Sequence, residues 1–464
     1  MQDTSDVTRR LWALCGVLRN EGVTYHEYLN ELTYLLFLKL ANELDMEERI
    51  PVECRWDKLS ATKNGNMLDR YVTILGVLGS ASDEIVRTIF VDSRTGISSN
   101  ESLGQLVQGI DDIDWYRARQ NGLGDVYEGL IEKNAQESRY GAGQYFTPRP
   151  VVEALVQVTA PNSNDVVYDP AAGTGGFLVA AGLGARTSNR NAPRLVGIEL
   201  VRDVQRMALM NLVLHGLEGK LVVGDALHQV TSKTGYSVCL TNPPFGAKGA
   251  LTAEQNERLQ FPTSNKQLAF LQHAYQNLSK GGRAAIVVPD NVLFEEGTAG
   301  AVRTTLLNHY RLHTILSLPT GIFYATGVKT SVLFFCADGS TEETWFYDLR
   351  SGQSSFGKRR QLLPSDLEDF VSVYGDNPFG RSPRTETDRF RRLSRADLAA
   401  KRDRLDYMHS RKGEAPTGSS SIADLLDGTQ RLREELDSAL SGISEIEKIL
   451  ARHFQDRENE VLDR

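Results

Sequence analysis

The sequence predicts an α/β protein: a doubly wound, mostly parallel sheet, preceded by a helical amino-terminal domain and followed by a coiled-coil-like helix at the carboxyl end. Three observations carry this expectation. Between about residues 126 and 350, short apolar runs such as Ala284 to Pro289, Thr314 to Leu318 and Ser331 to Cys336 alternate with helical stretches, the pattern of strands joined by right-handed crossovers. Several of those runs end in a glycine turn or a polar residue, where such sheets bind ligands. Near the end of the chain, apolar residues recur at heptad spacing beyond a flexible linker.

At the amino-terminal side, Leu32, Leu35, Leu36, Leu40 and Leu44 recur near the 3.6-residue period of an amphipathic helix, in a segment without a chemical motif. The 464 residues suffice for two or three domains. The expected division is a helical domain over 1–125, a catalytic domain over 126–350, an extension over 351–412 and a linker with a partner-binding helix over 413–464.

Within the α/β region, Asn164 to Tyr168 reads as a strand that runs into Asp169-Pro170-Ala171-Ala172-Gly173-Thr174-Gly175-Gly176-Phe177 and then a helix. Glycines at 173, 175 and 176 remove side chains that would keep a ligand from the backbone, and the helix start offers free N–H groups. Neither G-x-G-x-x-G nor the phosphate loop G-x-x-x-x-G-K-[ST] occurs, so a nucleotide-like cofactor without pyrophosphate is the better guess. The next strand ends in Glu199, at a separation suited to gripping two ribose hydroxyls. The run after it ends in Asp225, placed to accept from an adenine amino group. Each acid taken singly is equally compatible with a solvated strand end; three strand ends in series argue for a site.

The run Tyr236 to Leu240 leads to Asn242-Pro243-Pro244-Phe245. A Pro-Pro backbone at a strand end holds one amide, one carbonyl and one ring in a fixed arrangement. An exocyclic amine is a poor nucleophile, because its lone pair is delocalised into the base. Two acceptors, the Asn242 side-chain oxygen and the Pro243 carbonyl, can take its hydrogens and turn the lone pair towards a methyl donor. Phe245 then stacks on a base flipped out of the duplex. Alone, the tetrapeptide is also a Pro-rich turn after a strand.

Other chemistries find less support. The four cysteines, Cys15, Cys54, Cys239 and Cys336, lie far apart, with no C-x-x-C pair and no H-E-x-x-H helix, so neither a zinc site nor a disulfide framework is expected. A Pro-Cys nucleophile for cytosine C5 is missing, and Cys239 reads as core. No apolar run reaches membrane-spanning length and the first residues do not resemble a signal peptide, which points to the cytosol. A formal charge of −8 suits a protein that does not hold DNA alone. Arg389, Arg391, Arg392, Arg395, Lys401, Arg402, Arg404, Arg411 and Lys412 form a basic stripe, readable as a phosphate-facing surface or as a solvated linker. Beyond the linker 413–421, Leu432, Leu436, Ala439, Ile443, Ile446 and Leu450 step by three and four residues and favour a partner helix in another chain.

These motifs resemble the modification (M) subunit of type I restriction-modification systems, adenine-N6-specific DNA methyltransferases dependent on S-adenosylmethionine. Besides the glycine turn and the Asn242 loop, the chain carries Gly143-Gln144-Tyr145-Phe146-Thr147-Pro148-Arg149, which in that family wraps the methionine end of the cofactor. Thr263 to Leu268, Gly281 to Pro289, Leu318 to Phe323 and Gly327 to Thr330 continue the likeness, which covers roughly residues 10–350. The motif order matches the adenine-N6 enzymes; the loop chemistry alone leaves cytosine N4 open. The resemblance implies S-adenosylmethionine bound by Gln144, Tyr145, Phe146, Thr147, Pro148 and Arg149, by Asp169, Ala171, Gly173, Thr174, Gly175 and Gly176, and by Glu199, with Asp225 beside them. It implies catalysis at Asn242, Pro243, Pro244 and Phe245 on double-stranded DNA, without metal. It also implies partners: a specificity (S) subunit met by the carboxyl-terminal helix, a second copy of this subunit in an M2S1 complex, and a restriction (R) motor-nuclease subunit that can add. Two other functions stay open at this stage, methylation of a protein glutamine amide by the same loop, and an inactive scaffold that binds cofactor and partner.

Overall fold

Among the described residues, one mixed sheet of nine strands organises the fold: β1 (Val166–Asp169), β2 (Arg194–Glu199), β3 (Gly219–Val223), β4 (Tyr236–Thr241), β5 (Leu278–Pro289), β6 (Arg311–Leu318), β7 (Thr330–Cys336), β8 (Glu343–Asp348) and β9 (Phe390–Ser394), in the order β3-β2-β1-β4-β5-β7-β6-β8-β9. The computed structural model describes residues 4–44, 46–62, 65–120, 122–137, 146–187, 192–228, 235–245, 251–323, 328–351, 356 and 360–407. All belong to the first of the chain's two units, Met1–Met408. Gln144, Tyr145, Arg411, Lys412 and the linker and heptad helix expected over 413–464 lie outside the described residues.

β1, β2, β3, β4 and β5 run parallel, and β7 enters antiparallel between β5 and β6. Strand order reverses at β1 and β4, so a crevice opens at their carboxyl ends, where Asp169 and Asn242 stand. The alternation expected of a sheet covered on both faces is explicit in β5. Ala285 and Val287 join the core beneath the helices Arg149–Thr159 and Gly176–Thr187; Ala284, Ile286 and Val288 join the opposite core with the helices Lys266–Gln276 and Thr298–His309.

The amino-terminal region is helical, as expected, and its core takes in Met207, Leu209, Met210, Val213 and Leu214 from the helix Arg202–Leu214 that follows β2. One difference concerns the helix Tyr25–Glu43, expected to be amphipathic. Residues 28–38 are all buried, because this helix is central to its region and is surrounded on every side. Two of its polar residues find partners far along the chain: Glu31 accepts from the Gly96 N–H at 2.6 Å, and the Thr33 hydroxyl meets the Tyr127 hydroxyl at 2.6 Å.

All four cysteines are buried and free, and Cys239 sits in β4 as core. Among the described residues no helix is long and apolar enough to cross a membrane. The segment after 350 contributes β9, antiparallel to β8, and its cations meet acids: Arg392 pairs with Glu343, Arg395 with Asp403 and Arg404 with Asp406.

Candidate active site

The glycine turn leaves β1 with Gly173 at φ 55° and Gly175 at φ 81°, backbone conformations that a side chain would strain. A Cβ on Gly175 would also stand 3.3 Å from the Ala208 Cβ, so glycine lets the turn lie against the helix Arg202–Leu214. Asn211 of that helix donates to the Thr174 carbonyl at 3.1 Å, and the Ala172 N–H donates to the Ile198 carbonyl at 2.9 Å.

The three acids expected from the sequence converge on the crevice. Asp169 is 1% exposed, and burial pushes its carboxyl up to about 7, with the nearby Glu199 charge adding to the shift. Glu199 accepts from the Gly173 and Val201 N–H groups, both at 2.9 Å, while burial raises its pKa too. Asp225 accepts from the Leu227 N–H at 2.9 Å and from the Gln255 amide at 2.7 Å. Asp169 and Glu199, buried carboxyls whose pKa burial raises, mark a cleft that expects positive charge or hydrogen-bond donors.

A cavity of about 440 Å³ unites these groups. Its lining includes Phe146, Thr147, Asp169, Ala171, Gly173, Thr174, Gly176, Glu199, Asp225, Asn242 and Pro244. The expected residues Pro148, Arg149, Gly175, Pro243 and Phe245 stand outside that lining. Arg149 points at Asp125, Glu128 and Glu153, at 2.7, 3.3 and 2.7 Å, tying the helix it starts to the helix Leu123–Glu137. Phe245 is 7% exposed and meets Phe323 edge-on, with centroids 5.3 Å apart.

Asn242 donates through Nδ2 to the Thr147 hydroxyl oxygen at 2.9 Å. Its Oδ1 is buried without a hydrogen-bond partner among the described residues. A buried acceptor left open costs roughly 1–3 kcal/mol, so its natural complement is a donor from a ligand. The Pro244 carbonyl accepts from the Gln267 side chain at 2.7 Å.

Sequence reasoning missed Glu128 and Ile131, which line the cavity from the helix Leu123–Glu137, a segment that carries no motif. It also missed Gln255, which reaches Asp225 from the capped helix Ala253–Glu257. Phe323 and Gln267 fell inside quoted motifs without a role.

Comparison with known proteins decides between the readings. Residues 118–407 match the N-6 DNA Methylase family, and residues 7–110 match the HsdM N-terminal domain. The type I restriction enzyme StySPI methylase subunit of Salmonella potsdam is 41% identical over 418 residues, covering 83% of this chain and 79% of that protein. The chain belongs to the type I restriction enzyme methylase subunits. The EcoKI methylase subunit of Escherichia coli (strain K12) is equally similar, 41% over 418 residues, with the same coverage of 83% and 79%. Among solved structures, the EcoKI M protein matches with a TM-score of 0.52 at 36% identity, covering 86% of this chain and 89% of that one. A structure from work on complex assembly and conformational transition of the type I R-M system matches with a TM-score of 0.76 at 26% identity, over 96% and 99%.

This methylase subunit is therefore an adenine-specific DNA methyltransferase, and its cofactor is S-adenosylmethionine. The cavity fits that molecule. Its acids suit an ammonium, a sulfonium and ribose hydroxyls. The family also settles the glutamine alternative in favour of DNA.

Proposed function

We propose that this subunit transfers a methyl group to N6 of an adenine flipped out of double-stranded DNA, while a separate specificity subunit chooses the sequence. The observation that carries the reading is the open, buried Oδ1 of Asn242 at the carboxyl end of β4, facing a cavity sized for the cofactor. Asn242 Oδ1 and the Pro243 carbonyl accept the two amino hydrogens and turn the nitrogen lone pair out of conjugation. Phe245 takes a face of the base, and Phe323, already edge-on to it, forms a second aromatic wall. Burying the base there offsets part of the unstacking cost, about a few kcal/mol.

The bound cofactor supplies an electrophilic methyl on a sulfonium. Glu199 holds its ribose hydroxyls, Asp225 its adenine amino group, and Asp169 with Phe146, Thr147 and the turn 173–176 its methionyl end. Gln144 and Tyr145 belong to the same wrapping segment. Pro148 and Arg149 act by setting the course of that segment.

The same reading assigns the heptad stripe expected over 432–450 to a specificity subunit, two M subunits to one S subunit, and a motor-nuclease subunit as an addition. The structure of a relative, from work on complex assembly of the type I R-M system, supports assembly with other subunits. The test is transfer of radiolabelled methyl to DNA by this chain with a specificity subunit, followed by nucleoside analysis. Label in N6-methyladenine, abolished by Asn242→Ala with cofactor binding retained, is the expected result; near-normal turnover in that variant would remove Asn242 from the mechanism.

A further inference from the structure

Asn242 is useful only if its oxygen, rather than its NH2 group, faces the amine. The two ends of an amide are similar in size, and a turn of 180° about the last side-chain bond would present two donors to a donor. Something must hold the NH2 end elsewhere. In this structure that partner is the Thr147 hydroxyl oxygen, 2.9 Å from Nδ2, and with that bond made, Oδ1 is left open and buried.

Thr147 is itself rigidly placed. Pro148 follows it, which confines Thr147 to extended backbone, and Pro148 stands at φ −53° and ψ 130° at the start of the helix Arg149–Thr159. Arg149 anchors that start through Asp125 and Glu128 of the preceding helix, at 2.7 and 3.3 Å. The hydroxyl thus sits on a clamped segment, opposite the equally stiff Pro-Pro loop.

We infer that Thr147 is a positioning residue for transfer: its hydroxyl oxygen holds the NH2 end of Asn242 and so aims Oδ1 at the amine of the target base. This goes beyond a cofactor contact and rests on the methyltransferase reading above. An acceptor that stays on the enzyme throughout the reaction needs no reorganisation as charge develops on the nitrogen.

The experiment compares the full chain, assembled with a specificity subunit, as wild type, Thr147→Val, Thr147→Ser, Asn242→Ala and Thr147→Val/Asn242→Ala. Wild-type transfer to N6 establishes the underlying reading first. Thr147→Val is then expected to lower kcat by about 10- to 100-fold, in line with loss of one preorganised contact. Calorimetric affinity for S-adenosylmethionine should fall by a smaller factor than kcat, because Thr147 also borders the proposed methionyl site, and Thr147→Ser should restore most of kcat. Fluorescence of 2-aminopurine at the target position reads base capture, and should be unchanged in Thr147→Val. Adding Thr147→Val to Asn242→Ala should cost nothing further, because the two act as one unit. Loss of cofactor affinity at unchanged kcat, or additive losses in the double variant, would overturn the inference. If Thr147→Val lowers the melting temperature, Thr147→Ala against Thr147→Ser makes the same comparison, with Asn242→Ala again as the background for additivity.

Discussion

The Gln267 side chain donates to the Pro244 carbonyl at 2.7 Å, so the first turn of the helix Lys266–Gln276 props the loop that carries Asn242. Gln267 is 7% exposed, and its place is set by the Asn265 side chain, which accepts from the Gln267 and Leu268 N–H groups at 2.9 and 3.2 Å. Replacing Gln267 with Leu keeps the bulk and removes the donor. Turnover is expected to fall about tenfold with cofactor affinity unchanged, since a small misplacement of a catalytic group costs rate before it costs binding. Single-turnover transfer on target DNA, beside calorimetry with S-adenosylmethionine, checks this; equal losses in both would point to general loosening instead.

The proposed contact of Asp169 with the cofactor gives binding a pH dependence of defined sign. Burial holds its carboxyl at about 7 in the free protein, well above the ordinary range for an aspartate. Such a raised acid binds its proton more readily folded than unfolded, so its contribution to stability is present at low pH and is lost as pH rises towards 7. The proposed ammonium partner needs the ionised form. Affinity for S-adenosylmethionine should therefore rise with pH through about 7 and level off above, with at most tenfold per pH unit below it. Asp169→Asn should flatten the profile. A wild-type affinity that is level from pH 6 to pH 8 would count against the role.

Much of this was legible before any coordinates, and the reason is geometric. Asp169, Glu199, Asp225 and Asn242 each follow an apolar run, and a parallel sheet brings the carboxyl ends of its strands to one edge. The invisible parts depend on pairings across the fold. Arg391 and Arg392 read as free cations, but β9 sets them beside Glu386 and Glu343, the latter 49 positions away from Arg392. Arg149 ends the motif expected to wrap the cofactor, yet it stands outside the cavity lining, and its ion pair with Asp125 spans 24 positions. The leucine spacing in the helix Tyr25–Glu43 predicts one apolar face, but Glu31 and Thr33 are buried as well. Their partners, Gly96 and Tyr127, are far along the chain.

Arg283 makes a stability prediction. It is 4% exposed on β5, pairs with Asp165 at 2.9 Å, and donates to the Thr159 and Ala160 carbonyls at 2.6 and 3.1 Å, closing the end of the helix Arg149–Thr159. Burial pushes the Asp165 carboxyl up, but the Arg283 guanidinium outweighs it and holds the acid below its usual range. Arg283→Met leaves that charge buried and unpaired, at a cost of roughly 3–5 kcal/mol. Urea unfolding monitored by circular dichroism measures it. Adding Asp165→Asn should recover part of the loss, and no recovery would mean that the carbonyl contacts, rather than the ion pair, dominate.

Arg206 joins the helical region to the helix that backs the glycine turn. Only 1% exposed, it lies 5.0 Å from the Tyr34 ring, donates to the Val91 carbonyl at 2.8 Å and to the Ile89 carbonyl, and pairs with Asp203. Ile89 and Val91 close the helix Glu84–Phe90, where unpaired carbonyls and the helix dipole both favour a cation. One turn further along its own helix, Asn211 holds the Thr174 carbonyl of the cavity wall. Arg206→Met preserves volume but strands the two carbonyls, and each hydrogen bond to a charged group is worth about 1.5–3 kcal/mol. Hydrogen exchange should quicken in 84–91 and 202–214 while β6 and β7 keep their protection. Cofactor affinity should fall with it, because the helix that backs the glycine turn has lost its outer support. Unchanged exchange at 84–91 would show that apolar packing through Met207, Met210 and Leu214 holds the two regions without the arginine.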